Sequence, residues 1–333
     1  MSFALLMMGA AAFFLFAYPD EKPLHYYHNE GHVFGTYYNI RYEAEEDLHE
    51  QILARLKEFD NSLSTFNEQS IISRINRGEE VKTDRYFEQM YQTAREVSEL
   101  SEGAFDITVA PLVNAWGFGF QNKEQLTPER IEDLLKTVGY ESVSLEKHHL
   151  IKQNQQTMLD ASAIAKGQGC DVVAELLQDK GCKNFLVDIG GEVVLRGVNE
   201  NNVAWRVGIT KPQDDPTGTS SELQEVIAST RLCMATSGNY RQFYYEDGIR
   251  RSHTIDPRTG YPVNHSLLSA TVTAPSCMRA DALATACMVL GTLPALDLIN
   301  SLPDTECYLI YAEGDSTAVL MTSGIEKLIQ KNR

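Results

Sequence analysis

The 333-residue chain is short of positive charge: 29 lysines and arginines stand against 46 aspartates and glutamates, and no Lys/Arg block occurs in it. A formal net charge of −17 at pH 7 repels phosphate backbones and anionic lipid surfaces. Nucleic acid is therefore not an expected partner. The six cysteines, at positions 170, 182, 233, 277, 287 and 307, include no C-x-x-C pair and none of the tight spacing that zinc sites use. They are expected to be buried small hydrophobic residues, and their even number permits disulfides without requiring them. No repeat, low-complexity tract or long linker follows residue 30. That excludes solenoids and leaves one mixed α+β domain, of one or two lobes, as the simplest architecture.

What is present begins with an apolar stretch. Phe3 to Tyr18 carries no charge and ends at Pro19-Asp20-Glu21-Lys22. Such a run is expected to be a targeting segment; a buried N-terminal helix is the alternative. Its length falls between the apolar region of a signal peptide and a full membrane span, and it lacks the positive residues expected before either. No cysteine follows it, which disfavours a lipid-anchored lipoprotein. The expected organisation is a cleaved signal or uncleaved anchor over 1–18, a polar linker over 19–30 and one globular domain over 31–333.

Val33 to Tyr42 is rich in aromatic and β-branched residues and reads as a strand. Apolar residues at helical spacing predict helices over Asp47 to Phe59, with a break at Asn61-Ser62, and over Tyr86 to Leu100, Thr127 to Val138, Ser162 to Leu177 and Met278 to Leu290. Strands are expected at Phe185 to Asp188, Glu192 to Gly197, Ala204 to Ile209, Glu225 to Ser229, Gln242 to Tyr245, Ser269 to Ala274, Glu306 to Tyr311 and Ala318 to Thr322. Gly35-Thr36, Gly190-Gly191-Glu192 and Thr236 to Tyr240 read as glycine-bearing loops.

Three constellations carry chemistry. Asp281 and Thr285, four residues apart on one helix, place two hard oxygens on one face; that suits magnesium, although an aspartate early in a helix also stabilises the helix end. Asp160 to Gly167 is a small-residue turn opening a helix, with Lys166 in its first turns. It is either a phosphate site or a capped helix bearing an exposed lysine. In His253-Thr254-Ile255-Asp256-Pro257-Arg258-Thr259-Gly260 the Asp-Pro-x-x-Gly portion is a turn. His253 beside it is a candidate acid or base, or a surface histidine.

In their order these motifs resemble the ApbE family of FAD:protein FMN transferases, also described as flavin-trafficking proteins. The resemblance runs from Phe34-Gly35-Thr36 through Leu63 to Phe66 with Ser70 and Asn76, Gly103 to Val109 with Pro111-Leu112, Trp116 to Gly119, Asp160 to Gly167 and Val187 to Glu192. It continues through Trp205 with Gly208-Ile209 and Pro212, Thr236 to Tyr240 and His253 to Gly260, ending at Ala280 to Thr285. It implies an α+β fold related to the T-fold group and one Mg2+ held by Asp281, Thr285 and the backbone carbonyl of Ala163. It further implies contacts with FAD, the substrate, at Phe34, Phe66, Ala104, Phe105, Asp106, Asp160 and Lys166, and a role in transfer for His253.

The reaction implied is magnesium-dependent transfer of FMN to a threonine hydroxyl, with release of AMP. The implied partner is a protein carrying a Ser/Thr-Gly-Ala-Thr-like run, such as a membrane redox subunit; this chain has no such run, so self-modification is not expected. The implied location is periplasmic or on the outer face of the cytoplasmic membrane. An FAD pyrophosphatase and a non-catalytic exported flavin-binding protein are the alternatives. Three residues depart from the family pattern: Phe34 where methionine is usual, Phe66 where a flavin-stacking tyrosine is common, and Thr254 where isoleucine is usual.

Overall fold

The computed structural model describes residues 23–121, 123–212, 222–239, 243–246, 249–314 and 316–330. The apolar stretch from Phe3 to Tyr18 lies outside the described residues. Among those described, no helix is long and apolar enough to cross a membrane.

Strands β1 (His25–Val33) and β2 (Thr36–Ala44) form a hairpin closed by Phe34 and Gly35. The single strand expected over Val33 to Tyr42 is thus broken by a turn, and the linker expected over 19–30 gives way to β1 at His25. Helices His49–Leu63, Ile71–Asn76, Arg85–Leu100, Ala110–Ala115 and Pro128–Leu135 follow. The first runs through the predicted break at Asn61-Ser62. Ser62 is buried there, and its hydroxyl donates to Asp84 Oδ1 at 2.7 Å. Next come the hairpin β3 (Val143–Glu146) and β4 (His149–Lys152), helix Ala165–Asp179, β5 (Phe185–Ile189) and β6 (Glu192–Arg196). β7 (Trp205–Thr210) and β8 (Leu223–Ser229) form a ribbon, as do β10 (Phe243–Glu246) and β11 (Ile249–Ser252), with β9 (Arg231–Gly238) between them in sequence. The chain closes with β12 (Leu267–Thr273), helices Cys277–Leu290 and Thr292–Ser301, β13 (Glu306–Glu313), β14 (Ser316–Met321) and a turn of helix at Ser323–Glu326.

Eight strands build one antiparallel sheet in the order β1-β2-β5-β6-β9-β12-β13-β14. Period-two alternation divides its side chains between two faces. Val194, Cys233, Val272 and Leu309 join the clusters under the helices; Val193, Leu195, Met234, Tyr308 and Ile310 join a cluster beneath the β7–β8 ribbon. The central strands β6 and β12, covered on both faces, are buried at nearly every position. A satellite cluster of Leu112, Trp116, Ile131, Leu134 and Ile255 forms a small second lobe. All six cysteines are buried and free.

Candidate active site

Two helices on the sheet lie so close that a Cβ on Gly167 would sit 2.4 Å from the carbonyl oxygen of Cys277. Each helix start is held by a carboxylate from the body of the other. The Ala165–Asp179 helix has no side-chain cap of its own; Asp281 Oδ2 accepts the Gly167 N–H at 2.9 Å. Conversely, Asp171 accepts the N–H groups of Cys277 and Met278 at 3.0 and 2.8 Å. Asp281 therefore stabilises a helix end, but not that of its own helix, whose cap is Ser276.

Asp281 is 2% exposed, and burial pushes its carboxyl up, with Lys166 and the Gly167 N–H opposing. One turn along, Thr285 exchanges a hydrogen bond with Ser237 on β9 at 3.2 Å. Lys166 is neither buried nor free: its ammonium pairs with Glu192 while its side chain stays 32% exposed. Burial pulls Lys166 down, but Glu192 and Asp281 together hold it above the ordinary lysine value. Burial likewise pushes Glu192 up to about 7 against the pull of Lys166. Two buried carboxylates facing one ammonium leave an excess negative charge, and the adjacent donors are carboxylate and hydroxyl oxygens. That donor set fits a hard divalent cation such as magnesium, and Ala163 lines the same cleft as Asp281 and Thr285.

The turn from Asp160 to Ile164 is fastened from below. Asn76 and Leu159 exchange two hydrogen bonds, at 2.8 and 2.7 Å, and Asp160 N–H donates to Ile107 O at 2.7 Å. Asp160 Oδ1 accepts from the N–H and hydroxyl of Ser162, an Asx turn that shapes the approach to Ala163.

Phe34 sits at φ 51° and Gly35 at φ 73°, the two left-handed positions of a type I′ hairpin turn. A phenylalanine there costs about 1–2 kcal/mol. The conformation drives its ring inward, edge-on to Phe59 at 5.3 Å and over Gly169, where any Cβ would come within 2.9 Å of the ring. Opposite, the Arg85–Leu100 helix ends at left-handed Glu102 and Gly103 and leads into Ala104, Phe105 and Asp106. Both oxygens of Asp106 have hydrogen-bond partners within the fold. Oδ1 accepts from the N–H and hydroxyl of Thr108, and Oδ2 accepts from Tyr140 N–H, each at 2.7 Å. Phe66 stands on the rim, 79% exposed, on a loop held by Ser70, which caps the Ile71–Asn76 helix and donates to Ser64 O at 2.7 Å.

His253 follows β11, its ring meeting that of Phe118 edge-on at 6.4 Å. Thr254 donates to Asn239 Oδ1 at 2.6 Å and so ties this segment to the end of β9. Asp256 is paired with Arg258, at 2.9 Å to both Nε and NH2. Trp116 Nε1 donates to Gly260 O at 2.8 Å and anchors the turn to the small lobe.

All eleven residues singled out in the sequence line one cleft of about 530 Å³, within the range of small-molecule sites. Phe34, Phe66, Ala104, Phe105, Asp106, Asp160, Ala163, Lys166, His253, Asp281 and Thr285 come together from six separate stretches of chain. Sequence reasoning missed Ser237, read there as part of a loop, and the pairing of Glu192 with Lys166. No local pattern signals a partnership between a helix and a strand 26 residues apart.

Residues 34–309 match the model of the ApbE family. The chain is 39% identical to the FAD:protein FMN transferase of Vibrio cholerae over 282 residues, 81% of this chain and 83% of that protein. It is 36% identical to the protein of the same name from Haemophilus influenzae, with 90% of each covered. Among solved structures, the flavin transferase ApbE from Vibrio cholerae superposes with a TM-score of 0.82 at 36% identity, covering 92% of this chain and 100% of that one. The apo flavinyl transferase ApbE of Pseudomonas stutzeri gives 0.83 at 29% identity, covering 95% and 100%.

Proposed function

The chain belongs to the ApbE family and is a flavin transferase that moves FMN from FAD to a partner protein; we propose that the acceptor is a threonine hydroxyl, that AMP leaves, and that magnesium assists. The observation that carries this reading is the convergence of the eleven residues on one cleft. Asp281, Thr285 and the Ala163 carbonyl would hold the cation, which supplies charge neutralisation on the diphosphate oxygens. Lys166 adds a positive charge fixed at the start of a helix.

Phe34, Ala104 and Phe105 form apolar walls for the flavin, Phe66 covers it from the rim, and Asp106 meets it through the backbone. Asp160 shapes the turn beside the diphosphate. His253 accepts the threonine proton as the Oγ–P bond forms and the P–O bond to AMP breaks, the electron pair leaving on the AMP phosphate oxygen. The acceptor threonine lies in a Ser/Thr-Gly-Ala-Thr-like run of a membrane redox subunit. The apolar segment from Phe3 to Tyr18 takes the domain across the cytoplasmic membrane to work on its periplasmic side.

Purified protein incubated with FAD and Mg2+, with and without an acceptor domain, tests the reading. Transfer gives AMP and acceptor-bound FMN in equal amounts and little of either without acceptor. AMP with free FMN in the absence of acceptor indicates a pyrophosphatase instead, and FAD retention without turnover indicates a binding protein.

A further inference from the structure

One buried acid takes no part in the proposed transfer steps. Glu192 opens β6 just beyond the Gly190-Gly191 turn, is 1% exposed, and stands behind the cleft wall rather than in it. One of its oxygens accepts from the Lys166 ammonium, while Oε2 has no hydrogen-bond partner among the described residues. A buried carboxylate with an unsatisfied oxygen is unfavourable for the fold taken alone, and such a group calls for a reason. The pair is lopsided in exposure: the Lys166 side chain is 32% exposed and that of Glu192 2%. It therefore turns its cationic half toward the cleft and keeps its anionic half inside, with Asp281 as the next charge that both groups feel.

We propose that Glu192 is the positioning residue for Lys166, holding the ammonium beside Asp281 at the start of the Ala165–Asp179 helix so that the charge meeting the substrate's diphosphate is in place before the substrate arrives. A lysine on a flexible stem loses rotamer freedom when it grips a phosphate, and one already fixed by a buried partner has lost it on folding. Preorganised charge also needs no rearrangement as the transition state forms. The proposal rests on the reading of Lys166 as a diphosphate contact.

A double-mutant cycle separates the two. Lys166→Gln keeps a donor for Glu192, and Glu192→Gln keeps the shape of the acid without its charge. Read first by itself, Lys166→Gln is expected to lower kcat/KM for FAD; a wild-type value would remove the lysine from the diphosphate and overturn both readings. If the lysine does matter, Glu192→Gln is expected to lower kcat/KM for FAD on the order of 10- to 100-fold in the wild-type background. Beside Lys166→Gln it should cost less than about 3-fold, because the two residues act as one unit. KM for the acceptor should stay unchanged throughout. Equal losses in both backgrounds, or no loss in either, would overturn the role of Glu192 while leaving that of Lys166 standing. A purely structural role would lower Tm without producing this coupling. If the glutamine form does not fold, Glu192→Asp retains the balancing charge on a stem one methylene shorter, and the same dependence on background is expected of it.

Discussion

His253 and Phe66 are the side chains whose tasks differ most sharply in what their removal does. His253 lines the cleft near Phe118, and in the proposed transfer it takes the threonine proton rather than holding the flavin. His253→Ala is expected to leave FAD affinity within about 3-fold while slowing transfer by roughly 10²- to 10⁴-fold; equal losses of binding and turnover would make it a binding residue. Phe66 is 79% exposed on the rim of the cleft, and the proposed function packs its ring on the flavin. Phe66→Asn should raise the ratio of free FMN to acceptor-bound FMN by admitting water, and an unchanged ratio with unchanged FAD affinity would place the ring away from the flavin. Glu192 offers a test by pH. Its carboxyl is held at about 7, above the ordinary 4.5, so the folded chain grips this proton more tightly than the unfolded one. That contribution to stability is complete below pH 4.5 and is lost as pH rises through 7. Wild type should lose Tm relative to Glu192→Gln across this window, and parallel curves would contradict the assignment.

Between elements, the reciprocal capping of the Ala165–Asp179 and Cys277–Leu290 helices sets the distance from Lys166 to Asp281 and Thr285. Gly167 is where they touch, and a methyl group there meets the Cys277 carbonyl. Gly167→Ala should cost about 1–3 kcal/mol of stability in urea denaturation. It should also weaken Mg2+ binding, which calorimetry reads directly; unchanged stability and metal affinity would show that the contact relaxes freely. This contact, like several boundaries, was not legible in the sequence because its cause lies far along the chain. Asn61-Ser62 looks like a helix stop, yet Ser62 is satisfied by Asp84 and the helix continues. Thr236-Ser237-Gly238 looks like a loop but belongs to β9, which pairs with both β6 and β12, with Thr236 bonded to Thr271 across the strands at 2.9 Å. The β1–β2 turn lacks the usual Asn-Gly signal, since Phe34 takes the left-handed position. By contrast, the Arg85–Leu100 helix and strand β5 were readable because burial follows the helical or two-fold period, and the Cys277–Leu290 helix and strands β6 and β12 through the dense apolar or β-branched runs of elements buried on nearly every side.

At the scale of the whole molecule, the sheet's antiparallel order brings β2, β5, β6, β9 and β12 side by side, and their ends and connections, with the two stapled helices and the small lobe, enclose the cleft. The mixed α+β class follows from composition and pattern, and the motifs that line the cleft were legible because each sits on a backbone feature with a local signature: a left-handed turn, a helix start, an Asp-Pro-x-x-Gly loop. What joins those features is tertiary and left no such mark. The claim that they form one flavin-transfer site is tested most directly by tandem mass spectrometry of an acceptor domain incubated with this protein, FAD and Mg2+. The account predicts FMN in phosphodiester linkage to a single threonine, abolished by Asp281→Ala or by EDTA. An unmodified acceptor with wild-type protein, or undiminished modification by the Asp281→Ala variant, would contradict it.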